Sequence, residues 1–393
     1  MTTLRMILNS TAGYVLDTYA KLTKEAEFAI TSAMKNLSIS LVLFFVGASI
    51  LSYFVLDLYV LHLAKGADFG GHIMAAQDKK YLSHFLYHWT INALTLFSGS
   101  KKALQISSFA VLFLAILLKL WISWQWLDSK RTTAILFLTT LFFVSPIINW
   151  WQFPKIYLGQ ISPNTWHNPT IMMATPFYLA VLFFLFKKER PVWAGVFLLL
   201  ATITKPNFAL CFIPALLLYA LLQQSSLKSA AIIILPTLLC LIWQFVFTYT
   251  GDTNNSRLIW APFKVWSHHS PNLWGSLLVS FAFPFFFTLL FFKELKDSKS
   301  FLFGWLMMVI ALAQFVLLAE EGVRMYHGNF GWGTQSSLYF LFLLCINELN
   351  QIKLSKKPIF IVRYVICVTF LLCHFASGVF FHIRTLRGFG YYA

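Results

Sequence analysis

Long apolar runs separated by short polar or basic stretches recur along the whole chain. They fall near residues 38–63, 105–125, 133–150, 169–186, 191–204, 207–222, 229–249, 273–292, 301–318, 334–348 and 358–381. As helices, runs of about 17 to 25 residues cross ~30 Å of hydrocarbon, so the pattern predicts an all-α, polytopic transmembrane bundle of about 11 spans; the runs near 200 and 340 are short. Residues 82–98, LSHFLYHWTINALTLFS, break the pattern. Leu82, Phe85, Leu86, Trp89, Ala93, Leu96 and Phe97 share one helical face, with His84, His88 and Thr95 largely opposite and Tyr87 and Asn92 on the flanks. So amphipathic a segment is expected to lie in the membrane interface as a juxtamembrane helix.

Composition agrees with the pattern. The chain is 59% hydrophobic and 11% charged, where a soluble domain carries roughly 25% charged residues. Residues 1–37 are mixed polar, so they read as a cytoplasmic segment before an uncleaved first span. Cys211, Cys240, Cys345, Cys367 and Cys373 all fall in apolar runs and suit packing better than a metal site or a disulfide framework. A net charge of +16 would suggest nucleic acid in a soluble protein. Here it is expected to reflect cytoplasmic loops and anionic lipid, with no nucleic-acid partner.

Charge also selects a topology. With 82–98 outside, 16 Lys and Arg lie in inner loops and 12 in outer ones; if it crosses, the balance turns to 13 inside and 15 outside. Cytoplasmic loops collect cations, so the first arrangement is expected. The outer face then holds 64–104, 151–168, Lys205-Pro206, 250–272 and 319–333, and with them seven of the ten histidines.

Those outer loops contain the candidates for chemistry. In GADFGGHI (66–73) Asp68 precedes His72 by four residues, and the glycines suit a turn or a close approach to substrate. A partly desolvated carboxylate there can serve as a general base or simply cap the next helix. Lys205, between two apolar runs, can hold a phosphate or snorkel to headgroups. YLGQISPNTWHNPT (157–170) offers Gln160, Asn164, His167 and Asn168 around Trp166, which suits sugar recognition or an ordinary structured connection. AEEGVRMYHGNFGWG (319–333) offers Glu320 or Glu321 as a second acid and Arg324 as a phosphate partner, or a plain Glu–Arg pair. His84 and His88 have the i, i+4 spacing of a metal pair without a specified third ligand, and the polar face of an amphipathic helix also explains them. His268-His269 is a weaker signal of the same kind. No phosphate-cradling Gly-Lys-Ser/Thr loop occurs.

The order of these features resembles the GT-C superfamily of polytopic glycosyltransferases, particularly the aminoarabinose transferase and protein O-mannosyltransferase branch. An acidic residue in a long first outer loop (Asp68), a juxtamembrane helix opening at His84-Phe85-Leu86-Tyr87, then Leu96-Phe97-Ser98-Gly99, and later Ile203-Thr204-Lys205 follow the family's sequence of motifs. The likeness covers roughly 38–222, with loop 64–104 inside it; 223–393 reads as a variable C-terminal set of helices. The chain departs from the family in lacking a second carboxylate beside Asp68, Pro-Pro after His84, and a C-terminal soluble domain.

The resemblance implies an inverting transfer of a sugar from a polyprenyl-phosphate donor to a hydroxyl on a glycan, lipid or protein. Asp68 would be the base, and Lys205 with Arg324 would meet the phosphate. His72, His84, His88, Gln160, Asn164, His167, Asn168 and Glu320 remain candidates for substrate binding. The branch admits a divalent cation, Mg or Mn, as cofactor, although no metal ligand set is specified. Expected location is the inner (plasma) membrane with the site on the external, periplasmic face. A transporter or flippase for lipid-linked sugars, or an O-antigen-type polymerase or ligase using Arg257, His268 and His269, stand as alternatives.

Overall fold

The computed structural model describes residues 47, 68–78, 84–127, 131–148, 159–164, 168–223, 227–249, 257–352 and 357–387, without the side chains of Asp68, Arg131, Thr132, Val323, Thr385 and Leu386. The chain divides into a unit of Met1–Ala48, of which only Gly47 is described, as helix, and a unit of Ser49–Ala393 that holds everything below. The expected cytoplasmic segment 1–37 and first span 38–63 thus lie, apart from Gly47, outside the described residues.

Among the described residues the regular secondary structure is helical except for one two-stranded ribbon. The helices are α1 (Asp68–Gln77), α2 (Leu86–Leu94), α3 (Lys101–Trp126), α4 (Arg131–Phe143), α5 (Pro169–Phe186), α6 (Pro191–Thr204), α7 (Asn207–Leu222) and α8 (Leu227–Tyr249), then α9 (Lys264–His269), α10 (Leu273–Leu290), α11 (Phe292–Leu295), α12 (Lys299–Leu317), α13 (Gly331–Gln351) and α14 (Pro358–Leu386). Strands β1 (Leu258–Trp260) and β2 (Leu318–Glu320) pair antiparallel, Leu258 opposite Glu320 and Trp260 opposite Leu318. A 3₁₀ turn, Gly322–His327, follows β2.

This is a multi-pass helical membrane protein. Six helices among the described residues, α3, α5, α8, α10, α12 and α14, are long and apolar enough to cross a bilayer. The other expected spans are shorter or more polar. Ten of the expected runs fall on described residues and each is a helix, but α4, α6 and α7 have only 13, 14 and 16 residues. At 1.5 Å per residue they reach about 20 to 24 Å. α13 is long, yet it is built around Thr334, Ser336, Ser337 and Asn347 and lies buried along almost its whole length. A helix surrounded by other helices gains from small and weakly polar residues; a Cβ on its Gly333 would stand 3.2 Å from the Asn207 carbonyl oxygen of α7.

The 133–150 run stops being helical at Phe143, three residues before Pro146. Residues 144–148 instead thread between α10 and α14. Ile147 N–H donates to Val279 O at 2.9 Å, and Phe283 N–H donates to His374 Nε2 at 3.2 Å. His374 Nδ1–H donates to Ser145 O at 2.6 Å. Non-helical backbone at membrane depth is tolerated where protein groups satisfy it.

The elements that shape the site are α1, α2 and the ends of the bundle helices. α5 packs on α3 and α6, α6 on α8, and α12 on α13 and α7. The C-terminal ends of α6, α8 and α12 therefore meet the N-terminal ends of α7 and α13. α2 spans nine residues, about 14 Å of helix, too short to cross. Tyr87, His88, Ile91 and Asn92 face the protein, while Trp89, Leu94, Leu96 and Phe97 are exposed. Its polar side is the inner side, as suits a helix lying against lipid.

Candidate functional site

A cavity of about 590 Å³ opens where these helix ends meet. Its polar wall is formed by His72 and His84 from the α1–α2 region, Lys205 at the α6–α7 turn, and Glu320, Arg324 and His327 from the segment after α12; Leu210, Leu241, Phe245 and Phe330 supply an apolar wall. Two cations against one carboxylate, with polar and apolar side chains around them, suit an amphiphile with an anionic head. The volume lies within the ~300–1,000 Å³ of small-molecule sites.

Lys205 is positioned by a break in the chain. α6 ends at Thr204, Pro206 cannot continue the helical ladder, and Lys205 adopts an extended conformation (φ −161°, ψ 118°) while its N–H closes the last turn on Ala201 O at 2.7 Å. The side chain is buried.

Glu320 is the second organising group. It is 6% exposed, accepts from Tyr249 Oη at 2.8 Å and from Asn329 Nδ2, and lies 3.9 Å from Arg324 Nη1. The Asn329 carbonyl in turn accepts from Asn207 Nδ2 at 2.5 Å. Glu320 therefore fastens the strap 318–330 to α8 and α7. Glu321 is exposed, outside the lining, with its N–H on Arg257 O at 2.7 Å. A carboxylate so occupied is poorly suited to a metal, and among the described residues no three His, Cys, Asp or Glu side chains are grouped to hold one. The described groups therefore do not fit an Mg or Mn centre.

His72 and His88 meet, with Nδ1 of the first 3.0 Å from Nε2 of the second; His84 stacks edge-on to His88 at 6.3 Å between ring centroids. All three are held neutral. Burial pushes His72 and His84 well below the ordinary value; His88 and Lys205 add to this for His72, and Lys205, His72, His88 and Arg324 for His84. Burial drives His88 down to about 4; the His84 backbone opposes this, and Lys205 adds a smaller push downward. A charge beside Lys205 in a partly dry site is costly, and the imidazoles shed theirs.

Asp68 is the first residue of α1 and lies one turn before His72; its side chain lies outside the described residues, as does His167. Gly70 and Gly71 are inside α1, and Gly71 lines the cavity with nothing within 4 Å of where a Cβ would stand. The remaining stretch, 159–164 and 168, does not line the cavity. Asn164 accepts from Lys119 Nζ and donates to Leu141 O at 3.1 Å and Val144 O at 2.8 Å. Asn168 caps α5, accepting from Thr170 N–H at 3.1 Å and Ile171 N–H at 3.3 Å. Gln160 is buried outside the cavity. His269 Nε2–H donates to Tyr326 O at 2.8 Å and His268 stacks on Tyr326 at 4.0 Å, so this pair ties α9 to the 3₁₀ turn.

Two features of the structure have no counterpart in the sequence reading. Tyr249, Asn207 and Asn329 belong to the cavity; Tyr249 and Asn207 are polar residues at an end of an apolar run, the signal that could have found them, and Asn329 lies inside the 319–333 stretch. Lys119, alone in LLKLW inside a 26-residue helix, bonds Asn164 and sits 4.0 Å over the Tyr339 ring. A cation within a span is itself a marker of function or of buried polar structure. No protein-family model matches the chain, and a search of curated proteins finds no significant relative.

Proposed function

We propose that the protein is a GT-C-like membrane glycosyltransferase that moves one sugar from a polyprenyl-phosphate donor to a hydroxyl acceptor. On this reading the short helices α4, α6 and α7, with α13 and the 38–63 run, complete an eleven-span arrangement. The site then opens on the external side of the plasma membrane. The observation that supports it is one cavity lined both by Lys205 and Arg324 and by Leu210, Leu241 and Phe245. The phosphate lies against the two cations, and the first isoprene units lie along α8. Asp68 removes the acceptor proton, the acceptor oxygen attacks the anomeric carbon, and the sugar–phosphate bond breaks with inversion. The departing phosphate keeps the bonding pair, and the cations stabilise it without a general acid.

Envelope glycolipids and glycans are compared by mass spectrometry in cells carrying wild-type protein, Asp68→Asn, Lys205→Met or no protein. Loss of one sugar-sized increment in all three altered strains, with the variants present in the membrane, supports the reading. Retention of the increment in Asp68→Asn overturns Asp68 as base. An increment present on the wrong side of the membrane in the absence of protein favours a flippase.

A further inference from the structure

α10 is among the helices long and apolar enough to cross a bilayer, and its exposed large side chains are Trp274, Leu278, Phe285 and Leu289. At 3.6 residues per turn these four fall within about 60° of one helical face. Ser276, Ser280, Phe283 and Phe287 are buried on the opposite one. The exposed stripe therefore faces lipid. Trp274, second residue of the helix and 71% exposed, stands where the stripe reaches the bilayer surface on the cavity's side.

The segment between β1 and α9 carries that surface on. Phe263 lies with its ring centroid 6.4 Å from that of Trp274. Its backbone is left-handed (φ 58°), an uncommon and costly state for a bulky residue, and its N–H is held by Val316 O of α12 at 2.7 Å. Along β1, Ile259 packs on the small core of Ala261, Val265 and Ala319. Its neighbours Leu258 and Trp260 point to the other face of the strand and are exposed, Trp260 by 68%. The outward side of β1 is thus apolar. Its height follows from register, because Trp260 pairs with Leu318, the first residue after α12. An aromatic face level with the ends of two spans suits the headgroup layer, where a Trp ring meets hydrocarbon and its N–H meets water. Lys264, exposed next to Phe263, suits the lipid phosphates.

We propose that residues 258–269 form a foot seated in the headgroup layer of the leaflet on the cavity's side, with Trp260, Phe263 and Trp274 as its contacts to phospholipid. The foot also bears on the cavity. β1 pairs with β2 in the register Leu258–Glu320, so Glu320 is held about 7 Å from the level of Trp260, near the height of the lipid phosphates. Nothing in this depends on the activity of the site.

The test uses full-length protein with its five cysteines replaced, carrying a fluorophore at Trp260→Cys, Trp274→Cys or Phe285→Cys. Each is placed in phosphatidylcholine nanodiscs containing a lipid with a nitroxide either near its headgroup or deep in its acyl chain. The labels at 260 and 274 should lose emission more to the shallow nitroxide, and the label at 285, mid-span on the same stripe, more to the deep one. A label at 260 that neither nitroxide quenches overturns the proposal. Quenching of that label by aqueous iodide would then show a water-exposed surface, and protection from iodide a protein-covered one. If the cysteine-free chain does not reach the membrane, tryptophan emission of the native chain in nanodiscs of brominated lipid decides. Trp260→Phe should shrink the lipid-quenched share of that emission, and an unchanged share overturns the foot.

Discussion

At the scale of single residues, the cavity depends most on a carboxylate that has no freedom left. Glu320 receives a phenol and an amide, each of which would be left without its acceptor if the side chain were truncated. A buried donor without an acceptor costs about 1–3 kcal/mol, so Glu320→Ala is expected to destabilise the protein by about 2–4 kcal/mol, with little added for the part-exposed Arg324 pair. Tyr249→Phe in wild type should cost about 1 kcal/mol and almost nothing in the Glu320→Ala background. Thermal unfolding of the four proteins in detergent checks this; additive losses would mean the two groups act separately. Lys205, Arg324, Glu320, His72 and His84 were legible as candidates because each is an isolated polar group beside an apolar run. Their convergence was not, since Glu320 meets Tyr249 across 71 positions of sequence and no spacing encodes that. Asn164 and Asn168 carried the same local signal, yet their amides are taken by backbone and by Lys119.

At the scale of elements, the apolar pattern located the helices well wherever a run had clear ends. The expected 169–186, 191–204 and 207–222 coincide with α5, α6 and α7, because Pro169, Pro191 and Lys205-Pro206 mark their boundaries. It failed for 133–150, where apolarity continues past the helix into an extended thread whose partners come from α10 and α14. Two glycines have opposite surroundings. A Cβ on Gly378 would stand 1.4 Å from the Phe143 carbonyl oxygen, a backbone atom that cannot swing aside. Gly378→Ala is therefore expected to destabilise by about 1–3 kcal/mol or more. Gly71→Ala meets open space on α1 and should stabilise that helix by up to about 1 kcal/mol. Since its methyl enters the cavity, transfer should fall while the unfolding temperature rises. Melting curves beside transfer assays separate the two; a stabilised Gly378→Ala would remove the close packing of α14 on the end of α4.

At the scale of the whole molecule, the cavity end is both its charge-sensitive end and its sided end. His72, His84 and His88 are held neutral in the folded protein, with values below the ordinary 6.5. The unfolded chain therefore takes up protons first as pH falls below about 6.5. Stability is full above that point and is lost on acidification, by up to about 1.4 kcal/mol per pH unit for each proton withheld. The unfolding midpoint should fall between pH 7.5 and 5, and less steeply when all three are replaced by Gln; equal slopes would mean the imidazoles titrate normally. Sidedness follows from chain order. The segments joining α5 to α6, α10 to α12 and α13 to α14 lie at the opposite end, and they carry Lys187, Lys188, Arg190, Lys293, Lys296 and Lys357. Because cations concentrate in cytoplasmic loops, that end should face the cytoplasm and the cavity should face out. Glu321 and Tyr326 are exposed at the cavity end, Lys188 and Lys296 at the other. With the five native cysteines replaced, Glu321→Cys and Tyr326→Cys should react with a membrane-impermeant maleimide in intact cells. Lys188→Cys and Lys296→Cys should react only after permeabilisation. The reverse pattern would put the cavity in the cytoplasm and remove an external transferase, because a donor whose sugar is displayed outside could not reach Lys205.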